Sequence, residues 1–490
     1  MKTVFLRSAV LLGLGLSLGL TACDKQLDID PYQSVDAATA LDSEDKVGSA
    51  VVGIYARLDD PNLYGTNLIL VPEILAPDSY IRFQGTFSNF RDIANRNTNS
   101  QNTTAEGIWR TAYQAINQAN LVIDALPVVT TANLKTQYEG EARFVRADMY
   151  FELVRLYARQ YEPGGANTQP GVPINLVPVK NLEEAALQLP RATVAAVYQQ
   201  VIDDLTKAIT LLPADNGTRA SSFTAKALLA RVYLQQSNFA QAQILANDVI
   251  QNSGKLLSST VQSVFRNRNS AETLLEIQQN DQNNAGTSNS GLATHFASIG
   301  QLGRGDVQVL GSFAAQYGRT DARGTDSLTF DRTRKLIYIG DGARPGVLRS
   351  GKFSSYGQNI PVIRLAEMYL IRAEASQQLG TNIGGVTPWE DVNRIRLRSQ
   401  ADTLNPKKLR DSNGNITKVD NPLFGTITLA DILQERRLEL AFEGFRIYDL
   451  KRTGGTLAAG VPSTAPKLTL PIPQREININ PSLVQNEGYQ

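Results

Sequence analysis

Two helical segments face each other across a short turn near the middle of the chain, and their spacing constrains the fold more than any other feature. Leu229-Ala230 and Tyr233 precede the turn Gln236-Ser237-Asn238, and Phe239, Ala242, Ala246 and Val249 follow it. The small residues Ala230 and Ala242 let the helices approach closely while Tyr233 and Phe239 fill the space beside them, the packing of a tetratricopeptide unit. A plain helical hairpin has the same spacing, so the wider pattern has to decide. Helical periodicity covers 42–58, 106–126, 133–160, 193–212, 222–236 and 238–252, interrupted by loop-rich stretches at about 60–104 and 160–191. A chain of 490 residues exceeds what one core fills, so either several domains or a stacked array is expected, and the helix pattern favours the array. The expected fold class is mostly α, a scaffold of tetratricopeptide-like helical pairs with long loop-rich excursions and a few short strands.

Residues 253–360 break this pattern. They are rich in Asn, Gly, Ser and Gln, with short strand-like runs at 273–277 and 335–339, and long excursions of this kind usually carry function. Helical pattern returns over 361–378, with Pro361 suited to a first turn, and over 389–398. Asn413-Gly414 predicts a hairpin. Asp411-Ser412-Asn413-Gly414-Asn415 fails as a calcium loop, because Ile416 stands where glycine is needed and Pro422 where the bidentate Glu belongs. A last helix is expected from Thr428, capped with Asp431, to Phe442. Glu435, Glu439 and Glu443 share one side of it and repel unless Arg436, Arg446 or a distant arginine interleaves. An acid/base or metal site is one reading of that row; a structural ion network tying the C-terminal tail to the scaffold is the simpler one, and is favoured. The expected divisions are 1–22, 23–252, 253–360 and 361–490.

The chain has a single cysteine, Cys23, directly behind Leu20-Thr21-Ala22. Lys2 and Arg7 form a basic segment, Ser8 to Leu20 an apolar one, and Thr21-Ala22 the small residues of a cleavage site. The apolar run, about a dozen residues, is too short to span a bilayer. The arrangement fits a lipobox, so residues 1–22 are read as a lipoprotein signal peptide and Cys23 as the acylated new N-terminus; an ordinary signal peptide with a chance cysteine is the alternative. More than one acyl chain makes such anchoring stable. No second cysteine exists for a disulfide or a Cys-based metal site.

Removing residues 1–22 takes away two basic residues and no acidic one, so the formal charge falls from +1 to −1. A near-neutral chain gives no electrostatic case for nucleic acid. With His295 as its only histidine the chain cannot build a multi-His metal site, and any His-based relay depends on that residue. Walker-type glycine loops are absent. No metal or cofactor is expected, and the chain is read as not an enzyme, although glycoside hydrolysis needs only two carboxylates.

Five blocks, taken in order, resemble the SusD/RagB family of nutrient-uptake outer-membrane lipoproteins of the Bacteroidetes. They are Ile108-Trp109-Arg110-Thr111-Ala112-Tyr113 with Ala119-Asn120; Glu141-Ala142-Arg143-Phe144-Val145-Arg146-Ala147 continuing through Tyr150-Phe151 to Leu156-Tyr157 and Val172-Pro173-Ile174; Arg364 to Ala375 with Asn393-Arg394-Ile395-Arg396; Glu435-Arg436-Arg437-Leu438-Glu439 to Phe445-Arg446; and Leu470-Pro471-Ile472-Pro473 with Asn486-Glu487-Gly488-Tyr489. The resemblance implies a helical scaffold at the cell surface of the outer membrane, held by a lipid anchor over a SusC-like TonB-dependent transporter. It also implies a binding lid that captures an oligosaccharide or a peptide and passes it on. A helical-repeat adaptor that holds another outer-membrane protein, without a small ligand, is the alternative.

Sugars favour flat aromatic faces beside polar groups. The only tryptophans, Trp109 and Trp389, fall in helical blocks and are read as scaffold packing, a departure from the Trp-rich sites expected of a starch-binding member. The ligand face is therefore expected from two loops: Tyr80, Arg82, Phe83, Phe87, Asn89, Phe90 and Arg91 in one, and His295, Phe296, Arg304, Tyr317 and Arg319 in the other. Asp321-Ala322-Arg323 is read as a structural turn. The arginines lean slightly toward acidic ligands.

Overall fold

The computed structural model describes residues 40–77, 80–325, 334–404, 408–410, 416–419, 427–457 and 460–489. Cys23 and the leader, the Asn413-Gly414 turn and most of the rejected calcium loop lie outside them. All elements below belong to the unit Ser43–Gln490.

The helices are α1 (Glu44–Leu58), α2 (Asn67–Leu75), α3 (Ser88–Ala94), α4 (Thr103–Asp124), α5 (Ala132–Tyr157), α6 (Val194–Leu211), α7 (Ser222–Gln235), α8 (Phe239–Asn252), α9 (Leu365–Leu379), α10 (Pro388–Arg398), α11 (Leu429–Glu439) and α12 (Arg446–Arg452), besides shorter turns. Local chemistry sets their starts. The Asn102 side chain accepts from the Thr104 and Ala105 amides, and Thr193 from Ala196. Ser221, Thr387 and Thr428 each form a capping box, the last with Asp431 as its sequence predicted.

Neighbours in sequence become neighbours in space: α4 packs on α5, α5 on α6, α6 on α7 and α7 on α8, and α8 then receives α9, which carries α10 and α11. This is the stacked array that the periodicity predicts. Ala230, Ala242, Ala246 and Val249 are fully buried in the α7–α8 contact, whereas Tyr233 and Phe239 are only half-buried, so small-residue contact and not aromatic filling closes that pair. Buried arginines lock successive layers. Arg146 of α5 donates to both oxygens of Asp204 of α6, at 2.8 and 2.7 Å, and to Asn120 of α4 at 2.8 Å. Arg231 of α7 grips Glu367 of α9 at 2.8 and 2.7 Å, and Arg372 of α9 grips Asp391 of α10 at 2.8 and 2.6 Å. Bidentate pairs of this kind fix orientation as well as distance.

The strands form four two-stranded antiparallel sheets: β1 (Ile81–Phe83) with β3 (Val307–Val309), β2 (Thr273–Ile277) with β6 (Ile360–Arg364), β4 (Ile337–Ile339) with β5 (Leu348–Ser350), and β7 (Lys408–Arg410) with β8 (Ile416–Val419). Two expectations change. Pro361 lies in β6 and not in a first helical turn; it sits opposite Glu276 beside a register irregularity, where a residue without an N–H is tolerated, and α9 begins only at Leu365. The stretch 60–104, read as loop-rich, holds α2, every residue of which is buried. A helix apolar but for Asn67 and Glu73 shows little amphipathic contrast, and its internal Pro72 reads as a break.

Helix α11 ends at Glu439, short of the expected Phe442, so Glu443 lies in the turn beyond it; the acidic row Glu435, Glu439 and Glu443 is neutralised by distant cations. Arg323 donates to Glu435 at 2.5 Å and Glu439 at 2.9 Å, Arg396 to Glu435 at 2.6 Å, and Arg364 to Glu439 and Glu443, both at 2.7 Å. Arg398 also bonds Glu439, and Lys352 donates to Glu443 at 2.6 Å. Burial alone would push the Glu439 carboxyl up, yet Arg398, Arg364 and Arg323 hold it well below its ordinary value. A carboxylate fixed in its charged form has no proton to give, which suits the structural reading. The network ties α11 to the excursion, β6 and α10 and not to the tail, and Arg436 pairs with Asp449 instead, at 2.9 Å. The Asp321-Ala322-Arg323 turn is part of it, with Arg323 also held by Asp321 at 2.8 Å.

Candidate functional site

The two candidate loops, more than 200 residues apart in sequence, meet through the β1–β3 ladder, in which Ile81 faces Val309 and Phe83 faces Val307. The Gln84 amide continues the pairing, donating to the Asp306 carbonyl at 2.6 Å. Gly85 follows in close quarters: a Cβ there would lie 2.4 Å from the tip of the Phe83 ring and 3.0 Å from the Asp306 carboxyl carbon, so a larger residue would have to displace that ring. Beyond it Phe87 leads into α3, with its ring 46% exposed.

Asp306 organises the face. Its buried carboxylate accepts from His295 Nδ1 at 2.9 Å and from Arg304 Nε and Nη2 at 3.1 and 2.7 Å, with Arg344 at 3.8 Å. Burial would raise the Asp306 carboxyl, but the bonds from His295 and Arg304 outweigh it and hold the group below its ordinary value. Burial dominates at His295 and pushes the imidazole down against the pull of Asp306, so the ring is neutral and donates from Nδ1. Arg344 reaches back to the Gln84 carbonyl and closes the frame. Held this way, Arg304 places its guanidinium 4.6 Å from the centroid of the Phe87 ring, a cation–π pair at the surface. Phe90 stands edge-on to His295 at 5.1 Å and 6.1 Å from Phe83.

The structure therefore brings together Phe83, Phe87, Phe90, His295 and Arg304, with Phe87 and Arg304 reaching solvent. Arg82 and Arg91 flank them, both exposed. Asn89 lies alongside but is committed to the start of α4, donating to Thr104 at 2.5 Å and accepting from Asn102 at 2.9 Å. Tyr80, Phe296 and Tyr317 occupy the core. Tyr80 stacks on Phe442 at 5.2 Å and Phe296 lies 5.4 Å from Phe353. Tyr317 packs on Phe313 and donates its hydroxyl to Leu438 at 2.9 Å. These three rings present no face to solvent in this conformation. Arg319 is exposed, and its carbonyl accepts from Lys335. Sequence reading missed Asp306, Arg344 and Gln84; an acid two residues from Arg304 was the one available signal.

Both tryptophans pack in the scaffold. Trp109 is 5.1 Å from Tyr157, edge-on, and Trp389 lies against Val392 and Ile432 with its Nε1 donating to Leu404 at 2.5 Å. Among the described residues no group of three or more His, Cys, Asp or Glu side chains is arranged to hold a metal ion. A separate cleft of about 470 Å³ opens between the loop after α5, the end of α12 and the C-terminal tail.

Two family models match the chain: one described as starch-binding and associating with the outer membrane, over residues 25–234, and one of the SusD family, over residues 332–468. SusD-like protein P38 of Formosa agariphila is 24% identical over all of this chain and 99% of its own length. A SusD superfamily protein of Bacteroides thetaiotaomicron has the same fold, with a TM-score of 0.74 at 24% identity over 91% of this chain and 99% of the other. A laminarin-binding SusD-like protein superposes with a TM-score of 0.68 at 23% identity, over 91% and 100%.

Proposed function

Because the chain belongs to the SusD family, we propose that it is a cell-surface lipoprotein that captures an oligosaccharide and passes it to a SusC-like TonB-dependent transporter without chemistry. The observation that carries this reading is the convergence of two distant loops on one exposed aromatic–cation pair, Phe87 with Arg304, over a rigid buried frame. A pyranose offers an apolar C–H face to a ring and a rim of hydroxyls to a guanidinium, so this pair matches a sugar better than an extended peptide, which needs an open strand edge or an apolar groove. The laminarin-binding relative in fold and the starch-binding description of the family model favour glycan over peptide. Residues 253–360 supply one half of the face and residues 80–91 the other, on a scaffold of the helices α4 to α11.

The same frame speaks against catalysis. The sole histidine is buried and bound to Asp306, and the glutamate row that begins on α11 is neutralised by arginines. Among the described residues no helix is long and apolar enough to cross a membrane, and attachment is assigned to acylated Cys23. Calorimetric titration of the chain from Asp24 onward, against neutral glycans, acidic glycans and peptide mixtures, tests the reading. Binding confined to glycans supports it; binding confined to peptides, or none to any class, overturns glycan capture, and the latter restores the adaptor alternative.

A further inference from the structure

The charges in the cleft beside the C-terminal tail do not balance. Arg159 and Glu487 face each other at 3.8 Å, both largely exposed, and Glu162 is exposed at the rim. Arg452 is neutralised by Glu374 and by Asp449, the latter at 2.8 Å. Two cations are left. Arg191 directs all its N–H groups to neutral oxygens: the carbonyls of Gly171, Val484, Tyr157 and Pro170 and the side-chain oxygen of Asn486, at 2.7 to 3.0 Å. It pins the tail but meets no carboxylate. Lys451 lines the same cleft, is only 8% exposed, and among the described residues no oxygen accepts from its ammonium group.

An ammonium on a mostly buried side chain, with no acceptor beside it, is poorly hydrated and favours an anion in the cleft. Burial, with repulsion from Arg155 behind it, pushes the Lys451 group down to about 8. It is still mostly charged at neutral pH. The lining also holds the Ser463 hydroxyl and the Tyr161 ring, while the amides of Gln160, Gln169 and Asn486 already donate to Gln235, to Gln160 and Asn167, and to Tyr157 and Leu470. The volume, about 470 Å³, lies in the usual range of small-molecule sites.

We propose that this cleft is a second binding site, for a sugar carrying one negative charge, with Lys451 as its anion contact and Arg191 supplying an uncompensated positive field. Carboxylate and sulfate ester share that chemistry. The site shares no lining residue with the Phe87–Arg304 face, so it stands or falls separately from the capture reading.

The test is ligand-observed NMR and thermal shift on the chain from Asp24 onward, with glucuronate, glucose 6-sulfate and glucose. Wild type is expected to bind at least one of the acids and not glucose. Lys451→Met, which keeps the length of the side chain, is expected to lose at least tenfold in affinity while its Tm stays level or rises, because it removes an unpaired buried charge. Phe87→Ala is expected to leave acid binding unchanged. Glucuronate alone assigns a carboxylate, glucose 6-sulfate alone a sulfate ester, and both assign charge by itself. Failure of wild type to bind either acid overturns the proposal, as does undiminished binding by folded Lys451→Met. Should that variant not fold, Lys451→Gln is read in its place by the same criteria.

Discussion

Burial and neighbouring charge compete at single residues in this protein, and at Glu73 burial wins. It lies on the fully buried α2, and one oxygen accepts the Gly444 amide at 2.7 Å. Burial pushes its carboxyl from 4.5 up to about 7, against the opposing pull of the Gly444 and Tyr80 hydrogen bonds and Lys352. A folded-state value above the unfolded one favours the protonated folded form. Its contribution to stability is complete below about 4.5 and is lost as pH rises through 7, a span of about 3 kcal/mol. Glu73→Gln keeps the acceptor and removes the titration. Denaturant melts at pH 5 and pH 8 should show wild type losing stability over that interval by up to about 3 kcal/mol more than the variant; parallel profiles would show that Glu73 does not titrate there. Nothing in the sequence marked Glu73 as buried, since a glutamate among apolar residues reads equally as the polar face of a surface helix.

At the scale of elements, the array depends on buried ion pairs as much as on apolar packing. Arg372 and Asp391 are each about 1% exposed and joined by two hydrogen bonds, so α10 is held to α9 by one matched pair. Arg372→Met strands a buried carboxylate and is expected to cost about 3–5 kcal/mol in urea melts, whereas Arg372→Met with Asp391→Leu should recover most of that loss. Equal losses in single and double variants would mean the pair contributes only packing. The helices themselves were largely legible: α4 to α8 fall within a few residues of their periodic segments, and all of them but α5 start at a side-chain cap. Where both signals fail, the reading fails too. α2 is almost wholly apolar, and Pro361-Val362-Ile363 reads as part of the following helix because nothing local reveals that β2 pairs with it from far away.

For the whole molecule, the central feature is that residues 80–91 and 292–310 build one face. Each loop was identifiable from its aromatic and arginine content, but their meeting was not, because a three-residue ladder between distant segments leaves no periodic trace. Nor could composition separate rings that reach solvent from rings that fill the core: Phe87 and Tyr80 look alike in sequence, yet one is 46% exposed and the other 1%. Tyr80 is buried against Phe313 and Phe442, whereas Phe87 stands at the start of α3. The measurement that tests glycan capture by this face most directly is the dissociation constant of wild type and Phe87→Ala for the tightest-binding neutral glycan, with Tm recorded for both. An exposed ring makes little difference to stability, within about 0.5 kcal/mol, while loss of a stacking face should weaken binding about tenfold or more, near 1.4 kcal/mol. A tenfold loss at unchanged Tm is the predicted result, and unchanged affinity in the folded variant would contradict the account.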